Sequence, residues 1–220
     1  MKKLVAACLF TGLLTACNTN GDTKATAMPE DTVQEADTDA DADVAQVQAA
    51  FPNVYTYLKN QDSSFSEDNF LPSGEAEVQP APTTPIDEAH LEPFRPYLIF
   101  NSDSSRALDL YSYNYIIDNR NGSNKLEAGS PDSEAALIDF TAKKRRRIFF
   151  GGPSFALWDG KWIDAGNLLM IGAETGTDTN LVPSIWKINL KDTSIQVYTY
   201  QGTVQADMNG YQKSKLNKAF

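Results

Sequence analysis

From about residue 97 to residue 201 apolar and polar residues alternate with a period of two, and this constrains the fold more than any other feature of the chain. Ser194-Ile195-Gln196-Val197-Tyr198-Thr199-Tyr200 is the cleanest run. In extended backbone successive side chains point to opposite faces, so such a pattern suits strands with one face buried and no helix. The runs predict strands near 97–101, 107–117, 135–141, 146–150, 154–158, 167–173, 184–190 and 194–201. Punctuation between them agrees. Asp159-Gly160 is a pair suited to a tight hairpin turn, where positive φ favours Gly. Lys191-Asp192-Thr193 predicts a second hairpin turn, and Asn119 to Gly122 opens a longer polar loop that runs to Asp132. The expected fold class is all-β, with about eight antiparallel strands.

A weak internal echo groups the strands. Asn101-Ser102-Asp103-Ser104-Ser105 leads to Leu110-Tyr111-Ser112-Tyr113, much as Asn189 to Ser194 leads to Val197-Tyr198-Thr199-Tyr200. Strand–turn–strand units thus recur every 40 to 50 residues or so, a spacing found in propeller blades. Ser154 to Gln201 reads as one four-stranded meander and residues 97–151 as another. Two blades cannot close a propeller. The expectation is therefore two four-stranded meanders packed as a sandwich or distorted barrel, only weakly propeller-blade-like.

The amino terminus has a different logic. Met1-Lys2-Lys3 is basic, and Leu4 to Leu14 is an apolar run of roughly 16 Å as helix. A hydrocarbon core is about 30 Å thick, so the run fits the apolar region of a signal peptide and not a membrane span. Leu14-Thr15-Ala16-Cys17 resembles the lipobox of bacterial lipoprotein precursors: an aliphatic residue, two small residues, then cysteine. The resemblance covers residues 1–17 only. It implies removal of 1–16 and acylation of Cys17, with palmitate among the acyl groups, so that the chain is held at a membrane of the bacterial cell envelope. By the sorting rule of enteric bacteria, Asn18 after the cysteine implies the outer membrane. The chain's other cysteine, Cys8, falls in the segment to be removed, leaving none for a disulfide.

Between the two ends, composition sets the expectations. Residues 18–50 hold eight acids and one lysine with almost no aliphatic bulk, which predicts a disordered acidic tether after the lipidated residue, spanning 17–50. Ala45 to Ala50 has room for a helical turn or two before Pro52. Asp37, Asp39, Asp41 and Asp43 alternate as in the start of a calcium loop, but Ala42 and Gln48 stand where that loop needs Gly and Glu. Residues 51–90, with Pro80, Pro82 and Pro85, are expected to be a Pro-containing linker whose Val54, Tyr55, Tyr57, Leu58, Phe65, Phe70 and Leu71 dock on the β domain of 91–220. The net charge of −10 belongs to the first ninety residues; 91–220 is nearly balanced. An acidic chain of this kind excludes nucleic acid as a partner.

Candidate sites are few. Lys143-Lys144-Arg145-Arg146-Arg147 is the sharpest local feature, expected as an exposed basic hairpin tip or edge able to meet anions. Tyr198 and Tyr200 share a strand face opposite Ile195, Val197 and Thr199, which places them outward as a candidate aromatic surface. His90 is the single histidine and reads as a surface residue. Gly151-Gly152-Pro153-Ser154 lacks the spacing of a nucleophile elbow and reads as a strand connector. Glu134, Asp139, Asp159, Asp164, Glu174 and Asp178 are scattered carboxylates with structural roles. No residue is assigned to catalysis, and neither a metal nor a cofactor is expected. The functional expectation is an envelope lipoprotein with a non-enzymatic β domain that binds a glycan, a lipid headgroup or a protein. The alternative is an envelope carbohydrate hydrolase using paired carboxylates.

Overall fold

The computed structural model describes residues 47–118 and 125–217. The expected signal peptide, Cys17, residues 17–46 of the tether and the start of the Asn119 loop lie outside them. The described chain begins with two helices, α1 (Val47–Ala50) and α2 (Pro52–Gln61), followed by strands β1 (Phe70–Glu77) and β2 (Thr83–Pro85). A short helix α3 (Glu88–Leu91) runs into a 3-10 turn, Glu92–Tyr97. Next come β3 (Ile99–Phe100), β4 (Arg106–Asp109), β5 (Tyr115–Asp118), β6 (Lys125–Ala128), β7 (Ser133–Asp139) and β8 (Lys144–Gly151). The last part holds β9 (Phe155–Trp162), β10 (Asn167–Thr175), β11 (Leu181–Asn189), β12 (Ser194–Tyr200) and helix α4 (Gly210–Asn217).

All pairing is antiparallel. One sheet runs β1-β12-β11-β10-β9 and the other β2-β8-β7-β4-β3, with β5 and β6 a separate hairpin. Both expected meanders are present. One is β9 to β12; the other is β3-β4-β7-β8, with the β5–β6 hairpin inserted between β4 and β7. Neither sheet closes on itself, and the fold is an all-β sandwich. Leu108, Leu110, Ala135, Leu137 and Ile148 of the second sheet and its turns meet Leu157, Leu168, Met170, Trp186, Ile188 and Ile195 of the first in one buried cluster.

Three expectations change. Residues 51–90 are not a linker to a domain that starts at 91. They supply β1, which pairs with β12, and β2, which pairs with β8, so each meander gains a strand at its final edge. The expected docking does occur: Val54, Leu58, Phe65 and Phe70 are buried against the first sheet with Tyr55 and Tyr57 beside them, while Leu71 is exposed. Second, Asp159-Gly160 makes no turn. β9 runs straight through it, because a Cβ on Gly160 would come 2.5 Å from Leu108 Cδ2, and glycine is what lets the sheets approach there. The turn lies four residues later, where Asp164 Oδ1 accepts from the backbone N–H of Gly166 (2.6 Å) and Asn167 (2.8 Å). The Asn167 side-chain amide, which donates to Asp164 Oδ2 at 2.9 Å, and then these backbone bonds hold the Asp164 carboxyl below its usual range. Third, 107–117 is two strands. Asp109 Oδ1 accepts from Tyr111 N and Ser112 N, and Tyr115 N donates to Tyr111 O, so 110–114 is a turn.

Candidate functional site

The turn after β4 builds the most developed site in the molecule, on the outer face of the second sheet. Asp109, 2% exposed, ends β4 and accepts the two backbone N–H groups of that turn together with the Ser112 hydroxyl. Glu134, 4% exposed, lies on β7 with its backbone N–H directed at the Asn114 side-chain oxygen. Opposite, β8 carries one extra residue where Ala135 pairs with Phe149 and Ala136 with Arg147. The bulge re-aims side chains, so Arg145, Arg147 and Phe150 gather beside Glu134.

A single guanidinium holds both acids. Arg145 Nη2 lies 2.5 Å from Glu134 Oε1 and 3.5 Å from Asp109 Oδ2. Arg147 Nη1 is 3.8 Å from Glu134 Oε2, and the Arg147 guanidinium lies 5.1 Å from the Phe150 ring centre. The contact at Glu134 Oε1 is an ion pair without hydrogen-bond geometry, so that buried oxygen has charge compensation but no proton aimed at it. Such a position is costly unless another donor completes it.

His90 closes one side. Asp87 caps α3 by accepting the His90 backbone N–H, and the His90 ring donates from Nε2 to the Ser112 carbonyl at 3.0 Å. A carbonyl only accepts, so Nε2 carries the proton. Thr84, Ile86, His90, Tyr113, Glu134 and Arg145 line the resulting open cleft of about 340 Å³. Tyr113 (39% exposed) packs edge-on against Phe150 (45% exposed), with ring centres 6.1 Å apart.

The sequence candidates divide. Of the five cations, Lys143 sits in the β7–β8 turn at φ 54° and pairs with Glu88 at 3.7 Å, both fully at the surface. Lys144 and Arg146 carry no ion pair among the described residues. Arg145 turns towards Glu134 and Asp109 and Arg147 lies between Glu134 and Phe150, so the run is not one exposed basic tip. Tyr198 and Tyr200 form no aromatic surface: they are 5% and 6% exposed, beneath Phe65 and the α2 region. Tyr200 stacks on Phe65 with centroids 5.0 Å apart. Ile195 and Val197 do face the sandwich interior, as the alternation requires, but the opposite face is covered too. His90 is at the surface, and the Gly151 run connects β8 to β9 as expected. Sequence reasoning missed Asp109, Ser112 and Phe150 as site residues. An Asp two residues before a Tyr-Ser-Tyr run was the available signal for a side-chain-capped turn.

A second cluster fixes α4 to the sandwich. Tyr211 Oη donates to Asp159 Oδ2 at 2.8 Å and Lys215 Nζ to Asp159 Oδ1 at 2.8 Å. Burial, then the Asp159 charge, pushes the Tyr211 phenol far above its usual value. Gln212 Nε2 reaches Leu157 O at 2.6 Å and Trp158 Nε1 reaches Met208 O at 3.0 Å. These are docking contacts of a terminal helix. Among the described residues no group of three or more His, Cys, Asp or Glu is placed to hold a metal ion.

As chemistry, the cleft suits binding better than hydrolysis. Paired-carboxylate hydrolysis needs one acid to deliver a proton and a water or anomeric carbon between the two. Here Arg145 fills that space, and Asp109 is committed to its own turn. What remains directed at the cleft is a mixture of donors and acceptors beside the exposed Tyr113. No protein-family model, curated protein or solved structure matches this chain.

Proposed function

We propose that this chain is a lipid-anchored protein of the bacterial cell envelope whose β-sandwich is a non-catalytic binding module for an envelope glycan. The anchor rests on Leu14-Thr15-Ala16-Cys17. One observation carries the binding reading: exposed Tyr113, packed edge-on against exposed Phe150, borders a cleft lined by the Glu134–Arg145 ion pair. Aromatic faces offer apolar contact to the C–H face of a sugar ring, while charged side chains around them orient hydroxyls. An exposed aromatic pair at the rim of a polar cleft is the arrangement expected of a recognition site.

Two experiments test the reading. Cys17→Ser abolishes fatty-acid labelling of the protein in cells; an unlabelled wild type refutes the anchor. Wild-type protein captures glycan from detergent-solubilised envelopes, and Tyr113→Ala with Phe150→Ala captures several-fold less at unchanged melting temperature. Equal capture by both proteins moves the site elsewhere. Turnover of envelope glycan by the wild type, lost in Glu134→Gln, would instead establish the hydrolase.

A further inference from the structure

We infer that the cleft beside Arg145 recognises an uncharged pyranose, gripping adjacent hydroxyls with Glu134, Arg145 and His90 while Tyr113 contacts the ring; this rests on the binding reading above and names the ligand class of that site. Charge comes first. Glu134 and Arg145 line the cleft as an ion pair at 2.5 Å, backed outside the lining by Asp109, 3.5 Å from Arg145, and Arg147, 3.8 Å from Glu134. An entering carboxylate or phosphate would have to compete with Glu134, 5% exposed as a side chain, for an Arg145 guanidinium that Glu134 and Asp109 already neutralise. An entering ammonium would meet the Arg145 guanidinium, which lies over the buried Glu134. Like charges brought together away from solvent are strongly rejected, so a balanced set of fixed charges selects a neutral partner. Asp87 adds one acid at the rim, but it is solvent-exposed and capping α3, where salt screens it.

Hydrogen-bonding capacity points the same way. Glu134 Oε1 has only the Arg145 guanidinium as partner, at 2.5 Å, and becomes an acceptor for a ligand hydroxyl when that group shifts. The Arg145 guanidinium has five N–H groups and meets its acids as ion pairs, which leaves donors for an incoming oxygen. His90 spends its Nε2 proton on Ser112 O, which leaves Nδ1 as the ring nitrogen available to a ligand hydroxyl. Acceptor, donor and acceptor around one cleft match a ligand whose neighbouring groups each give and take a proton, as sugar hydroxyls do. Arg145 Nη2 lies against Oε1, so the guanidinium shifts as the hydroxyl engages; its side chain is 24% exposed and has room to do so. The cleft of about 340 Å³ lies at the small end of ligand sites, enough for one or two sugar residues. Exposed Tyr113 supplies the flat apolar wall.

The test uses the full chain in detergent and methyl glycosides of glucose, galactose and mannose, with methyl glucuronide and methyl glucosaminide as charged counterparts. Saturation-transfer NMR and calorimetry report binding. At least one neutral glycoside binds, and both charged ones bind at least ~10-fold more weakly. Tyr113→Ala, at an exposed position, weakens the neutral ligand at least ~10-fold with melting unchanged. Glu134→Gln removes one negative charge and moves preference towards the glucuronide, a change that loss of structure alone does not produce. If Glu134→Gln fails to fold, the wild-type panel and Tyr113→Ala still decide. Tighter binding of either charged glycoside overturns the neutral-sugar inference and leaves the glycan reading standing. So does an absence of glycoside binding by a protein that still captures envelope material through Tyr113. If neither capture nor glycoside binding occurs, both fall.

Discussion

The outer faces of the two sheets carry the same alternating pattern and meet opposite fates. On the first sheet Trp158, Leu169, Ile171, Tyr198 and Tyr200 point away from the sandwich interior, and Phe51, Val54, Leu58 and Phe65 cover them. On the second, Ala107 and Ile138 are sealed by Leu91, Leu98 and their neighbours, and Glu134 and Arg145 line a polar cleft beside them. The difference lies in the segments that cross each sheet. Residues 51, 54 and 58 recur at helical spacing and give α2 an apolar stripe. Residues 80–97 are interrupted by Pro80, Pro82, Pro85, Pro93 and Pro96, make only one turn of helix before a 3-10 turn, and send Phe94 into the central core. A face of a sheet becomes core or site according to what the rest of the chain can lay on it.

Removing the cover should therefore cost far more on the first sheet than on the second. Phe65 is fully buried between Tyr55, Phe70 and Tyr200. Phe65→Ala is expected to lose about 3–5 kcal/mol of stability by urea denaturation, the usual cost of emptying an aromatic core position. Tyr113→Ala, exposed over the cleft, is expected to stay within about 0.5 kcal/mol of wild type. Similar losses for the two would mean that the second face is core as well, and the cleft reading would fail with it.

The meanders were legible because period-2 alternation is local and strong, and both four-stranded groups are where it places them. What escaped was long-range. Tyr198 and Tyr200 were rightly separated from Ile195 and Val197, but nothing in residues 194–200 says that a segment more than 130 residues earlier packs on them. Asp159-Gly160 has the composition of a turn, yet its glycine answers to Leu108 on the other sheet. The basic run reads as one feature in sequence. In the fold it is split by a turn, a strand's two faces and a bulge, so one of its members completes a site with Asp109 and Glu134 while others stay in solvent. Such partners, 11 to 36 positions apart, carry no mutual signal in a single sequence.

Alkali should expose a finer contrast within the 110–114 turn, whose tyrosines face opposite ways. Burial raises the Tyr111 phenol well above its ordinary value, helped by the charges of Asp159 and Tyr211, and its hydroxyl donates to Trp158 O at 2.6 Å. Tyr115 is pushed up to about 12, by burial and then by Asp207. An unfolded tyrosine ionises near pH 10, so the folded state holds its proton where the unfolded one has lost it. This contribution is complete below about pH 10 and falls away between about pH 10 and 12. Urea midpoints should be flat from pH 8 to 9.5 and drop above pH 10, with tyrosinate absorbance for these residues appearing only on unfolding. Tyr115→Phe should flatten that drop. A midpoint independent of pH up to 11.5 would contradict the burial of the turn's inner side.

The smallest effect concerns the cations that the cleft does not use. Five exposed charges, at about 1 kcal/mol each beside an anionic surface, would give salt-sensitive membrane attraction. With Arg145 ion-paired inward, Arg147 shared between Glu134 and Phe150, and Lys143 facing Glu88, only Lys144 and Arg146 lack an ion pair among the described residues. Screening at 0.15 M salt, with a Debye length of about 8 Å, reduces their share further. The unacylated chain carrying Cys17→Ser should bind vesicles of anionic lipid weakly at low salt and not measurably at 0.15 M. Lys144→Ser with Arg146→Ser should remove most of that binding while leaving glycan capture intact. A chain begun at residue 91 cannot serve here, because it lacks β1, β2 and the cover of the first sheet. Strong vesicle binding that needs Arg145 as well would show that the guanidinium leaves its two acids at a charged surface. The second sheet's outer face would then be a membrane contact, and its contrast with the first would be one of partner, lipid outside against helix inside.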